Sequence, residues 1–476
     1  MNKKGDLVEI ETMSYPDDSG MYSSNGTNIR IPFSPLNTPV SWYSMAHTGS
    51  TAGSTGSTTN KDSLVFPLVR TKITNYVTRV MAEFQTPDVS VKDKYLGCVR
   101  IRWTDHLALV MMNVVLLHLG EVQILLDYHS MVFYLEFILS KGRKKDYYRS
   151  IGHTAKYRKF STHLRGGILD PIIPFFLSRD TSCAVPLFLA DQSEIVLCEM
   201  TPVLEISKLI VMEKMDDEGN FQLCPFDAEY INPVDNVPKP TIKFQHSHVG
   251  DDVKHYWEDG CYLQGGDISD EEKEKIIGEE GGKYPNYFIN LVATDPKDST
   301  DYGATDSLGF SDPSIHKMFF WASQNNKSVE YNLYTNYSTN PFSPEDGRDP
   351  VEINSLRYKR GKVTQRFSEP SHFFNGSFTA EHFSSTSSVI GHKAFTFAYS
   401  AVRSPLDTGV PLYYLGAELS IKYLAKSHLT SEEKESDKGF VFILRSGIIN
   451  KLTVSNGKFA IVSNAFSGPA IRPISR

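Results

Sequence analysis

From residue 62 onward the chain alternates apolar and polar positions with a period of two. In TNYVTRVMAEF (74–84), Tyr76, Val80, Ala82 and Phe84 fall on one face, while Arg79 and Glu83 point the other way. That pattern predicts a half-buried antiparallel strand. Similar runs follow at VRIRW (99–103), VVLLHL (114–119), VQILL (122–126), EIVLCEM (194–200) and VLEISKLIVM (203–212). Gly, Pro, Asp and Ser fill the intervals, as strand connections require. LALVMMNVVLLHLG (107–120) reads as a buried strand pair; it is too short to span a bilayer and carries Asn113 and His118. MVFYLEFIL (131–139) reads as a short buried helix.

The texture changes after residue 213. The stretch 214–250 is acidic, Pro-rich and weakly periodic, which marks a linker or insertion. A second strand series then begins with HYWEDGCYLQ (255–264), leading into DISDEEKEKIIGEE, where Asp270 through Glu274 are expected at the start of a short helix. It continues through AFTFAYS (394–400) and AELSIKYL (417–424). KLTVSNGKFAIV (451–462) sets Asn456-Gly457 between two apolar runs, a strong hairpin signal because a type I′ turn needs positive φ at both central residues. Two all-β units follow from this reading. Residues 1–60 form an N-terminal arm, 61–213 the first unit, 214–250 the linker, 251–465 the second unit and 466–476 a tail.

One phrase occurs twice. AVPLFLADQSEIVL (184–197) and GVPLYYLGAELSIK (409–422) each carry Val-Pro-Leu, an aromatic, a turn-like interval and a Glu, Glu194 or Glu418, ahead of an alternating run. The echo suggests one sandwich plan written twice.

Composition narrows the classes. At 476 residues the chain is too long for one core, and 40% apolar with 22% charged residues is ordinary for a folded protein. A net charge of −7 gives no whole-chain reason for nucleic-acid binding. The five cysteines, Cys98, Cys183, Cys198, Cys224 and Cys261, show no CxxC spacing, which favours free thiols in a reducing compartment.

Candidate chemistry is sparse. His246, His248 and His255 have no carboxylate or thiolate at a spacing that completes a metal shell, so no metal site is assigned. The Asp/His pairs in WTDH (103–106) and DYH (127–129) lack a nucleophile motif, and no phosphate-cradling loop or dinucleotide fingerprint is present. No catalytic residue, cofactor or enzyme activity is therefore expected. The most charged stretch is 140–167, where Lys141, Arg143, Lys144, Lys145, Arg149, Lys156, Arg158, Lys159 and Arg165 face one acid, Asp146. With Tyr147, Tyr148, Tyr157 and Phe160 interleaved, such a loop suits an anionic surface or nucleic acid, a solvated loop, or a subunit contact with an acidic neighbour such as 268–280. The partner contact is the favoured reading. Four sequons, Asn25, Asn326, Asn336 and Asn375, are candidate glycan sites.

Several segments, taken in order, resemble a known family. They are IRWTDHLALVMMNVVLLHLGEVQI, DYYRSIGH and PFFLSRDTSCAVPLFLADQSEIVL in the first half. SIHKMFFWASQN, QRFSEPSHFFNGSF, IGHKAFTFAYS and GFVFILRSGIINKLTVSNGKFAI follow in the second. Together they are similar to the double jelly-roll major capsid proteins of large icosahedral DNA viruses of the iridovirus and phycodnavirus type, over roughly residues 60–465. GSFTAEHFSS, PLDTGVP and the 214–250 insertion depart from the family's pattern.

The resemblance implies an all-β chain of two tandem eight-stranded antiparallel jelly-roll sandwiches with short helices and long loops. It implies a homotrimer with a pseudo-hexagonal outline that tiles a virion shell assembled in the host cytoplasm. Its partners would be neighbouring capsomers, minor capsid and penton proteins and the internal viral membrane, with no specific nucleic acid. A scaffold or minor capsid protein of the same fold is the alternative. A jelly-roll carbohydrate-binding protein or hydrolase is disfavoured because the four Trp (Trp42, Trp103, Trp257, Trp321) are scattered.

Overall fold

The computed structural model describes residues 40–45, 63–68, 76–179, 185–187, 190–191, 193–247, 286–293, 297–299, 305–310, 315–343, 347, 349, 351–360, 363–367, 371–374, 376–397, 410–411, 418–425, 440–455 and 457–462. The chain is mostly β-sheet with a few short helices. No helix among these residues is long and apolar enough to cross a membrane.

In the first half the principal strands are β1 (Val40–Met45), β2 (Leu64–Pro67), β3 (Tyr76–Thr86), β4 (Val114–Leu119), β5 (Val122–Asp127), β6 (Val185–Pro186), β7 (Val196–Thr201) and β8 (Thr241–Ser247). One sheet runs β1-β8-β3-β6, with Gly167–Leu169 also paired to β3; the other runs β2-β7-β4-β5. The second half has β9 (Asn286–Ala293), β10 (Thr305–Phe310), β11 (Ile315–Asn325), β12 (Val351–Arg360), β13 (Val363–Phe367), β14 (Val410–Pro411), β15 (Glu418–Ala425) and β16 (Phe440–Ser455). Its sheets run β9-β16-β11, with Lys393–Thr396 and β14 both on β11, and β10-β15-β12-β13. Each strand number plus eight gives its counterpart. In both halves the chain crosses between sheets at the same steps.

The correspondence extends to register. Pro186 pairs with Tyr76 and Pro411 with Ile315, each at the first residue of an eleven-residue strand. Both of those strands carry a bulge at their third residue: Val77 and Arg79 pair with adjacent His246 and Gln245, and His316 and Met318 with adjacent Ile448 and Gly447. The repeated Val-Pro is thus one structural position used twice, on a short strand where the missing proline N–H is tolerated. The two Glu residues do not match. Glu194 precedes β7, whereas Glu418 lies in β15 opposite Lys359 and takes the place of Leu197.

The expected alternation in β3 holds, with Val80, Ala82 and Phe84 buried and Arg79 and Glu83 half-buried on the other face. Three expectations need correction. Leu107–Met112 is a helix, not a strand; it is buried on every side, so periodicity carries no signal, and His106 and Asn113 at positive φ bound it. The range 214–250 is no simple linker, since it holds Phe221–Cys224 and β8, a central strand of the first sheet. β1, placed by sequence in the N-terminal arm, belongs to that sheet as well. Pro-rich flanks hid β8, and Ser/Thr-rich surroundings hid β1.

The C-terminal hairpin forms where Asn456-Gly457 predicts it. Ser455 pairs with Lys458, and Gly457 has φ +76°. The tip reaches the first half: the Asp191 N–H donates to the Gly457 carbonyl at 2.8 Å. Leu452, Val454 and Phe459 are buried in the first half's core. A strand of the second half therefore ends as part of the first.

Candidate functional site

The most elaborate constellation of polar side chains lies along the seam between the halves. After β5 the chain enters a buried helix, α1 (Tyr128–Phe133), which continues as a π-helical turn Tyr134–Ile138. Asp127 caps α1 by accepting from the Ser130 N–H at 2.8 Å. The same carboxylate accepts from Arg445 of β16, whose Nε donates to Ser130 Oγ at 3.2 Å. Burial opposes ionisation of Asp127, but Arg445 overrides it and holds the carboxyl down at about 2.

Aromatic rings fill the space beside this pair. Phe133 and Phe137 are fully buried against Phe320, Met318 and Ala322 of β11, with Phe133 and Phe320 stacked at 5.4 Å between centroids. Fully burying a side chain of this size contributes about 1.5–3 kcal/mol. His392 stacks on Tyr337 at 4.5 Å and on Phe133 at 4.7 Å. His129 shares a 2.8 Å hydrogen bond with the Tyr337 hydroxyl, and Gln324 Nε2 donates to Tyr128 Oη at 2.9 Å. Burial lowers both His129 and His392 to about 3, so the seam is built with neutral imidazoles.

Glu136 is the centre of the seam and has no solvent exposure. Its carboxylate accepts from Lys144 Nζ at 2.8 Å, Tyr148 Oη at 2.5 Å and the Ser388 N–H at 3.1 Å. Its backbone carbonyl accepts from Ser385 Oγ at 2.7 Å, and Lys144 also donates to the Thr386 carbonyl at 3.3 Å. Burial works against the charge on Glu136; Lys144 and then His106 outweigh it, and the carboxyl stays ionised. A further contact joins Thr104 Oγ1 to the Asn332 carbonyl at 2.6 Å, while Asn332 Nδ2 donates back to the Ile210 carbonyl at 2.6 Å.

Gly391 makes a tight turn in the seam. It sits at φ +84°, and a Cβ there would lie 2.1 Å from the Tyr337 carbonyl oxygen, a backbone atom that cannot swing away. Gly391→Ala should cost about 2–4 kcal/mol in chemical denaturation. An unchanged midpoint would show that the turn relaxes freely.

The sequence-derived candidates land as follows. The basic stretch forms helices α2 (Lys141–Ser150) and α3 (Ala155–Arg158). Lys141, Arg143, Lys145, Arg149, Lys156, Arg158, Lys159 and Arg165 are exposed. Lys144 is not part of that surface; it is the buried partner of Glu136. Arg158 is ion-paired to Asp105 at 2.6 Å, and Arg149 to Asp146 at 3.4 Å. Asn336 is buried and donates its side-chain N–H groups to Ser328 Oγ at 3.1 Å and the Asn340 carbonyl at 2.8 Å, so a glycan there requires the loop to open. Asn326 is half-buried; Asn25 and Asn375 lie outside the described residues.

The two Asp/His pairs serve the seam and its surroundings. Burial disfavours charge on Asp105, yet Arg102, His153 and Arg158 hold its carboxyl far below the usual range. His106 instead stacks on His153 at 3.9 Å, and shares a 3.1 Å hydrogen bond with Thr335 across the seam. Among the described residues no group of three or more His, Cys, Asp or Glu is placed to hold a metal ion. His248, His255, Cys183 and Cys261 lie outside them, while Cys98, Cys198 and Cys224 are free thiols. Sequence reasoning missed Glu136 and Arg445, charged residues inside apolar runs; a lone charge flanked by buried positions was the available signal.

No protein-family profile matches the sequence, and no curated protein does. Solved structures do match. The chain is similar to VP54 of PBCV-1, at 12% identity and a TM-score of 0.60, over 89% of this chain and 97% of that one. It is likewise similar to the Faustovirus major capsid protein, at 8% identity and a TM-score of 0.62, over 87% and 90% of the two chains. A chain of the Sputnik virophage structure matches at 8% identity and a TM-score of 0.51, over 92% of each. The fold is that of the double jelly-roll major capsid proteins. At 89% and 87% of this chain, the likeness takes in residues of both halves.

Proposed function

We propose that this chain is the major capsid protein of a large icosahedral DNA virus, a structural subunit with no catalytic centre. In this reading the halves are tandem eight-stranded jelly rolls. Three copies form a pseudo-hexameric capsomer that tiles the shell of a virion assembled in the host cytoplasm. Neighbouring capsomers, minor capsid and penton proteins and the internal membrane are its contacts, and the exposed cations of α2 and α3 are a partner surface. The observation that carries the reading is the residue-level repetition of β3 and β6 in β11 and β14, fixed by the seam into one unit. A rigid chain with two like domains needs only threefold symmetry to approximate sixfold packing.

Light scattering coupled to size exclusion is expected to give three times the chain mass, with hexagonal outlines in negative stain. A monomer that persists at high concentration without hexagonal particles would sink the proposal.

A further inference from the structure

The shared bulge gives residues of β3 their counterparts in β11. Arg79 falls with Met318 and Met81 with Phe320, and on the partner strands β8 and β16 Lys243 falls with Arg445. The two partner-strand cations are treated alike: Arg445 holds Asp127, and Lys243 holds Glu83. Arg79 departs from its counterpart. Met318 is buried in the apolar cluster of the seam, whereas the same register position in β3 carries a half-buried guanidinium. Among the described residues that guanidinium has no hydrogen bond or ion pair. Arg100 and Arg102, also half-buried in the first half, are answered by Glu213 and Asp105.

The charge set beside Arg79 is a second cation. Residues 171–173 run along β3: the Ala82 N–H donates to the Pro171 carbonyl at 3.0 Å, and the Ile173 N–H to the Val80 carbonyl at 2.8 Å. Helix α2 is fastened to this segment, because the Tyr147 hydroxyl donates to the Ile172 carbonyl at 2.6 Å, and Ile172 bridges Met81. Arg143 lies one helical turn from Tyr147, and Arg79 lies two residues from Met81 on the same face of its strand. Burial, and then the Arg143 guanidinium, lower Arg79 from its usual value, with Tyr134 acting the other way. Arg143 is itself exposed and has no acid on its own helix to meet. The first turn of α2 holds none, and Asp146 is paired with Arg149.

We propose that Arg79 and Arg143 together bind a phosphate group, either the free dianion or a phosphomonoester carried by a lipid headgroup. Each guanidinium presents a planar fork of N–H donors that fits two oxygens of a phosphate. A tetrahedral dianion takes one fork on each side and neutralises both charges, where a single carboxylate neutralises one. Lys141 and Lys145, exposed on the same helix, add to the attraction for a multiply charged anion. A half-buried cation without an acceptor, beside another cation, is unfavourable by itself, and the bound dianion removes that penalty. The site is made by one chain and does not rest on the capsomer reading.

The test titrates the full-length chain with inorganic phosphate at constant ionic strength, chloride making up the difference. Phosphate is expected to raise the thermal midpoint above that in chloride. Arg79→Gln and, separately, Arg143→Gln should each weaken phosphate binding in calorimetry by at least about tenfold. Arg149→Gln, which removes a cation already paired, should change it by less than about twofold. In phosphate-free buffer Arg79→Gln should melt no lower than the unaltered chain, since no partner is lost; in saturating phosphate it should melt lower. Flotation with vesicles of phosphatidic acid in phosphatidylcholine separates the two forms of the ligand. Co-flotation that Arg79→Gln abolishes assigns the headgroup, and phosphate binding without flotation assigns the free ion. The site is wrong if phosphate acts no better than chloride and flotation does not depend on Arg79. It is equally wrong if Arg149→Gln weakens binding as much as the other two, or if Arg79→Gln is clearly destabilised without phosphate, which would give the guanidinium a structural role. Should Arg79→Gln fail to fold, Arg143→Gln against Arg149→Gln decides.

Discussion

Glu136→Ala is expected to destabilise the folded chain by about 3–5 kcal/mol, the range for breaking a buried ion pair and leaving one charge alone. Lys144 is 8% exposed, and without the carboxylate its ammonium keeps only backbone carbonyls as partners. The Tyr148 hydroxyl and the Ser388 N–H lose their acceptor at the same time. Chemical denaturation should show a lower midpoint with an unchanged slope. The double change Glu136→Leu with Lys144→Met should recover more than half of the loss, because no charge is then stranded, and should leave about 1–2 kcal/mol for the two orphaned donors. If the double variant is as unstable as the single one, the pair is not what holds the seam. The bonds concerned join residues 136 and 144 to 385–388, so the lost stability is that of the contact between the halves.

That pair illustrates what the sequence could and could not disclose. The alternation in TNYVTRVMAEF places β3 and its faces correctly, since period two reports burial on one side directly. The Val-Pro echo identifies a true repeat because proline is restricted to a few sheet positions. By contrast, Lys144 sits among eight exposed cations, and no local pattern distinguishes the one lysine that turns inward. The acid that receives it lies eight residues earlier inside an apolar run, and the serines that complete the site are far along the chain. The equivalence of Lys243 and Arg445 is equally silent in sequence. It depends on matching bulges in two strand pairs, and a bulge of one residue leaves no compositional mark here. β8 was missed for a related reason: a central strand seven residues long, entered from a Pro-rich stretch, offers too little periodicity to outweigh its flanks.

Acid should open the same seam. His129 and His392 are buried, 9% and 0% exposed, and burial lowers each from 6.5 to about 3. In the unfolded chain both take up a proton near pH 6.5, while in the folded chain they resist until about pH 3. Between those values the unfolded state binds more protons, so stability is fully present above pH 6.5 and falls as the pH drops toward 3. Each histidine contributes about 1.4 kcal/mol per pH unit in that window. At pH 5 the two together remove about 4 kcal/mol relative to neutral pH. Asp127 acts in the same direction further down: its pair with Arg445 is intact above its usual 3.8 and is lost as the pH falls through about 2. The histidines therefore govern the first part of the acid limb. His392→Phe keeps the stack on Tyr337 and Phe133 and gives up a single 3.3 Å hydrogen bond to Ser387. At pH 7.5 it should lie within about 1 kcal/mol of the unaltered chain; at pH 5 it should be more stable by about 2 kcal/mol. Two stability curves that run parallel from pH 7.5 to pH 4 would show that His392 takes up its proton in the folded chain as readily as in the unfolded one. The burial of its ring between the two halves would then have no electrostatic consequence. Diverging curves would place the acid response of the subunit at the contact that holds its halves together.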